Sequence, residues 1–184
     1  MLSQEWGDGW RFWLLWLVAF VGFPIGGLAA NLIAGPAATP ITAVIGGAIT
    51  GVILGAVQWF VLQNRIAISP LWIVATGVGL AVGLGLGVVV AGSENTDNAF
   101  LWRALVAGFC VGIAQGFVLR GVFAQPVLWA GVVFIAWIVG WYITRGIGVD
   151  LSHKWTVFGA AGAITFQVIT GAALYFLSRR QQTQ

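Results

Sequence analysis

Residues 71–92 read LWIVATGVGLAVGLGLGVVVAG, with no charged side chain and a single hydroxyl. A helix rises ~1.5 Å per residue, so this stretch just crosses the ~30 Å hydrocarbon core of a bilayer. Outward from it, five more stretches have the same character: 12–34, 41–63, 99–119, 126–144 and 155–178. The breaks between them are short and turn-like, at Gly35 to Pro40, Asn64 to Pro70, Ser93 to Asn98, Arg120 to Pro126 and Arg145 to Lys154. Of the whole chain, 60% is hydrophobic and 7% charged, where a soluble domain carries about a quarter charged. A chain of 184 residues has too much surface for its volume to hide that apolar fraction from water. The expected fold is therefore all-α, a polytopic bundle of six transmembrane helices within residues 1–184. Glu5 and Asp8 spoil a basic leader and the apolar run after Arg11 is too long, so the first helix reads as retained, not as a signal peptide.

The six stretches repeat in pairs. Leu15-Trp16, Leu71-Trp72 and Leu128-Trp129 open the odd helices, and Gly27, Gly83 and Gly140 follow each Trp at one offset. In the even helices Gly55 to Phe60 matches Gly112 to Phe117 and, more loosely, Gly171 to Phe176. Each block then meets an arginine: Arg65, Arg120, Arg179. Two helices per unit return the chain to the same side, so the repeats (about 12–65, 71–120 and 126–180) are parallel, with a pseudo-threefold bundle as their closure. One side carries Arg11, Arg65, Arg120, Arg179 and Arg180. The other carries Arg103, Arg145 and Lys154, diluted by Glu94, Asp97 and Asp150. The excess sets both termini in the cytoplasm.

Glycine recurs every fourth residue at Gly47, Gly51 and Gly55, at Gly79, Gly83 and Gly87, and at Gly108, Gly112 and Gly116. Lipid gives no hydrophobic drive between helices, so such stripes hold helices by close backbone approach. They serve either packing inside the bundle or docking of a partner's helices. Tryptophan is abundant: Trp6, Trp10, Trp13 and Trp16, with Trp72, Trp102, Trp129 and Trp155, lie near helix ends and read as interfacial belts. Trp137 and Trp141 lie deeper, in the core or against a ring-shaped ligand.

No constellation for catalysis is legible. His153, beside Asp150 and Lys154, reads as an interfacial polar cluster, and no set of Cys, His and carboxylate ligands suits a metal. Cys110 is the single cysteine and reads as a small apolar filler. Eight scattered Lys and Arg make no nucleic-acid surface. What remains is intramembrane amide and hydroxyl chemistry: Asn31, Thr50, Gln58, Thr76, Gln115, Thr165, Gln167 and Thr170. Gln58 and Gln115 share a repeat position and read as structural glue. Gln167 stands where Gly51 and Gly108 stand in the other repeats, and is the candidate for a lined cavity.

The pattern Gly-x-x-Gln-(Trp or Gly)-x-x-Leu, an Arg-containing turn and Leu-Trp occurs at Gly55 to Leu62 with Leu71-Trp72, and at Gly112 to Leu119 with Leu128-Trp129. It resembles uncharacterised six-helix membrane proteins of cyanobacteria and Chloroflexi-like phototrophs; the third even helix departs from it at Leu174. That resemblance implies a bacterial membrane and no activity. An Ala-x-x-x-Ala contact at Ala30 to Ala34 is similar, more weakly, to substrate-binding membrane subunits of energy-coupling-factor transporters. The expected role is a non-enzymatic accessory or assembly subunit partnered by lipid and other membrane subunits, with no cofactor evident. The alternatives are a small-solute transporter or substrate-binding subunit, and then pigment or lipid binding.

Overall fold

A computed structural model of the chain describes residues 2–94, 96–120, 122, 126–149 and 155–181. They form helices without strands: α1 (Leu2–Val18), α2 (Gly22–Ala34), α3 (Pro40–Leu62), α4 (Leu71–Ala91), α5 (Asp97–Leu119), α6 (Pro126–Gly146) and α7 (Ala160–Gln181). A 3₁₀ turn at Ala19–Val21 joins α1 to α2, and the two act as one span, so six helices are long and apolar enough to cross a membrane. The 3₁₀ turn has a cause in the sequence. Pro24 has no N–H and its ring crowds the carbonyl of Phe20, four residues back, so the ladder tightens there. Proline also starts helices where its missing donor costs nothing, at Pro40 and Pro126. Thr39 and Thr96 cap α3 and α5 by accepting from the backbone N–H of Thr42 (3.2 Å) and Ala99 (3.3 Å). Gly35, Gly92 and Gly148, at φ +76°, +73° and +80°, turn the chain out of α2, α4 and α6, a region that side chains disfavour.

Packing follows chain order. Each span lies against the one before and the one after, and α7 returns to α1, closing a ring. The sequence-expected start of the sixth span at 155 is corrected here. Trp155 to Gly159 is not helical, and α7 begins at Ala160. Thr156, Val157 and Phe158 are buried and run into the end of the ring opposite the exposed Arg11, Arg65 and Arg120. Thr50 Oγ1–H donates to Gly26 O (3.1 Å), so the 2.8 Å contact between Thr50 and Thr156 is donated by Thr156. Thr50 lies ten residues into α3, ~15 Å along the axis, about half the membrane's hydrocarbon thickness. Irregular backbone survives at that depth only when protein surrounds it, and small residues make the room. A β-carbon on Gly46 would stand 2.9 Å from Thr156 Cγ2, and one on Gly27 3.0 Å from Val157 Cγ2.

Below this plug lies an aromatic core. Phe158 stacks on Phe23 (4.7 Å between centroids) and meets Trp137 edge-on (5.1 Å), with Phe166 closing the group. Trp137 and Trp141 are thus core side chains. Outward, Leu32, Ile33, Ile41 and Val127 are exposed, as lipid-facing positions require.

A buried amide and indole network as candidate functional site

Trp16, Trp72 and Trp129 correct the expectation of a belt, because all three point inward and are at most 1% exposed. Trp10 and Trp102 are exposed and Trp13 half-buried, while the side chain of Trp6 lies outside the described residues. An indole N–H turned into the bundle needs an acceptor there, since lipid offers none. The Trp129 N–H donates to Gln115 Oε1 (3.2 Å) and the Trp16 N–H to Thr170 Oγ1 (3.0 Å). Both indoles thus reach the span that precedes them around the ring.

Gln58, Gln115 and Gln167 meet at the centre, each buried to 1% exposure or less. Gln115 Nε2 donates to Thr76 Oγ1 (3.0 Å) and to Gln58 Oε1 (3.4 Å), and Gln58 Nε2 to Gln167 Oε1 (3.5 Å). Gln167 Nε2 then donates to the Trp16 carbonyl (2.8 Å). The network runs from Trp129 on α6 through Gln115 on α5, with a branch to Thr76 on α4, then Gln58 on α3 and Gln167 on α7 to Trp16 on α1. It joins all six spans. Gln58 and Gln115 each lie four residues from the helix end, and the two amide–amide contacts exceed the usual 2.9–3.0 Å. Gln167 lies seven residues from their register, two turns or ~10 Å, a gap its side chain and that of Gln58 bridge between them.

Thr76, Thr144, Thr165 and Thr170 donate to carbonyls four residues back (2.7–2.9 Å), the ordinary way a helical hydroxyl is satisfied. Thr165 takes no part in the network and Asn31 is half-buried on α2. Among the described residues two indole nitrogens, Trp72 Nε1 and Trp137 Nε1, are buried without a partner. By the pattern of Trp16 and Trp129, Trp72 would turn to Gln58 on the preceding span, whose amide is already committed to Gln115 and Gln167.

The glycine stripes face successive neighbours in the ring. β-Carbons on Gly47, Gly51 and Gly55 would lie 2.6–3.0 Å from the α4 backbone. Those on Gly79, Gly83 and Gly87 would lie 2.7–3.2 Å from α5, and those on Gly108, Gly112 and Gly116 2.6–3.2 Å from α6. These nine positions face neighbouring helices of the same chain.

Arg65 and Arg120 are exposed at the ring's network end, while the side chains of Arg179 and Arg180, like His153, Asp150 and Lys154, lie outside the described residues. Arg120 lies over the Phe117 ring at 3.9 Å. Arg103 folds back on the carbonyls of Ala99 (3.2 Å) and Glu94 (2.7 Å). Cys110 is half-buried and free. Among the described residues no three His, Cys, Asp or Glu side chains gather as metal ligands would. Comparison with protein-family models, curated proteins and solved structures found no match.

Sequence reasoning missed the three inward indoles and the plug. The signal for the indoles was available: a Trp recurring in register three times marks a position fixed by packing, where an interfacial belt tolerates drift.

Proposed function

We propose that this chain is a non-enzymatic integral membrane protein of a bacterial cell membrane, an accessory or assembly subunit of a larger membrane complex. The carrying observation is that the buried polar side chains at the centre of the ring are bonded to protein. Three indoles and three amides close one end against each other, and Thr156 to Phe158 stop the other. A carrier would spend its buried amides on a lined path, whereas these are bonded to protein. Apolar outer faces are left for contact with lipid and other membrane subunits.

The same reading takes the six spans as three parallel hairpin repeats about a pseudo-threefold axis, packed as a glycine zipper. Support comes from Gly35, Gly92 and Gly148, 57 and then 56 residues apart and all at positive φ. The inward Trp16, Trp72 and Trp129, 56 and then 57 apart, add to it. Arg11, Arg65 and Arg120, exposed at one end, favour both termini in the cytoplasm.

Gentle purification from native membranes tests the role. The expected product is a particle larger than the 19.5 kDa chain with defined companion polypeptides; a lone chain that moves a solute after reconstitution overturns it. In the same cells, cysteines replacing Ser3 and Thr183 in a Cys110→Ala background stay unlabelled by an impermeant thiol reagent. Labelling of both inverts the topology.

A second reading, a small-solute binding subunit, is favoured by one observation. The unpartnered Trp72 N–H belongs to a ring that lies 5.9 Å from the Trp129 ring, the donor to Gln115, and the amides there are joined by loose 3.4–3.5 Å contacts, so a small acceptor would find a donor.

A further inference from the structure

Between α5 and α6 the outer wall of the ring opens into an apolar groove of about 660 Å³, within the range of small-molecule sites. It is open where Gly131 lacks a side chain. Gly116 on α5 and Gly131 on α6 line it, and a β-carbon added at Gly131 would meet nothing within 4 Å. The deep end is closed by Phe109 and Phe134, edge to face at 6.5 Å. The other end holds Arg120, whose guanidinium rests on Phe117. Phe109 and Arg120 are eleven residues apart on one helix, ~16 Å along its axis, about half of a ~30 Å hydrocarbon core. The groove therefore spans one leaflet, from the level of the headgroups to the midplane.

We propose that this groove binds one anionic glycerophospholipid, with an acyl chain on the α5–α6 wall and the phosphate at Arg120. Apolar walls the depth of a leaflet match a chain, and an exposed planar cation at the rim matches a phosphate, which arginine engages through two parallel N–H donors. Basic residues in pockets between transmembrane helices recognise acidic headgroups in the same way. The inference needs only the membrane-spanning fold and stands apart from the accessory role.

The test is lipid retention by purified protein exchanged into nanodiscs of equimolar phosphatidylglycerol and phosphatidylcholine, then released and read by native mass spectrometry. Wild type is expected to keep one phosphatidylglycerol, at least fivefold over phosphatidylcholine. Gly131→Leu, whose β-carbon meets no protein and whose side chain enters the groove, loses the lipid while melting no lower than wild type. Arg120→Gln keeps a lipid but loses the headgroup preference, and it carries the test alone should Gly131→Leu melt lower. Equal retention of both lipids by wild type overturns the proposal, as does lipid binding untouched in both variants. Loss of a companion polypeptide from Gly131→Leu, with lipid retained, also overturns it and makes the groove a protein seat.

Discussion

Gln115 has three partners on three different spans: Gln58, Thr76 and Trp129. Replacing it with leucine keeps the volume but leaves the Trp129 N–H buried with no acceptor. A stranded donor costs ~1–3 kcal/mol, although intramembrane hydrogen bonds average nearer ~0.6 kcal/mol because the unfolded chain also finds partners. Gln167 makes one short bond and one long one, and its loss strands no indole. Gln115→Leu is therefore expected to lower the detergent melting temperature more than Gln167→Leu. Equal melts would mean the network is not where the stability lies. A Gln167→Leu protein that melts as wild type yet loses a bound solute would favour the solute-binding reading. The sequence made the residue types plain, since amides in apolar runs stand out. Their meeting was not legible: linear register set Gln167 two turns away from Gln58 and Gln115, and side-chain reach across that gap cannot be read from spacing.

The spans differ in what their glycines allow, and that gives a matched pair. A β-carbon at Gly51 would stand 2.6 Å from the Thr76 carbonyl and 2.7 Å from Gly77 Cα, backbone atoms that cannot move aside singly. Gly51→Leu therefore forces α3 from α4 at a cost of ~1–3 kcal/mol or more. Gly131→Leu has open space and gains helix propensity, up to ~1 kcal/mol. Thermal melts of the two variants should diverge in sign or nearly so; a common loss would mean that glycine flexibility, not contact, governs these helices. Helix number was legible here from apolar length, whereas the first helix begins at Leu2, ten residues before the apolar stretch that announced it. The start of the sixth span was not legible either. Thr156 to Phe158 lie outside the helix, bonded to Thr50 and stacked on Phe23.

For the molecule as a whole, ring closure and the filled end decide what the protein can do, because an open ring would make the amides a lining. Closure brings α7 and the segment before it against the first span, a long-range contact no local pattern announces. The direct measurement is a disulfide between Gly27→Cys and Val157→Cys in a Cys110→Ala background. Val157 Cγ2 lies 3.0 Å from where a Gly27 β-carbon would be, so the two β-carbons lie within ~4.5 Å, the separation disulfides use. Replacing valine also removes one methyl where the new β-carbon needs room. Mild oxidation of the folded double variant is predicted to give a faster-migrating species on a non-reducing gel, with both thiols lost to a maleimide probe. A folded double variant that stays reduced, with both thiols open to the probe, would contradict the closed ring.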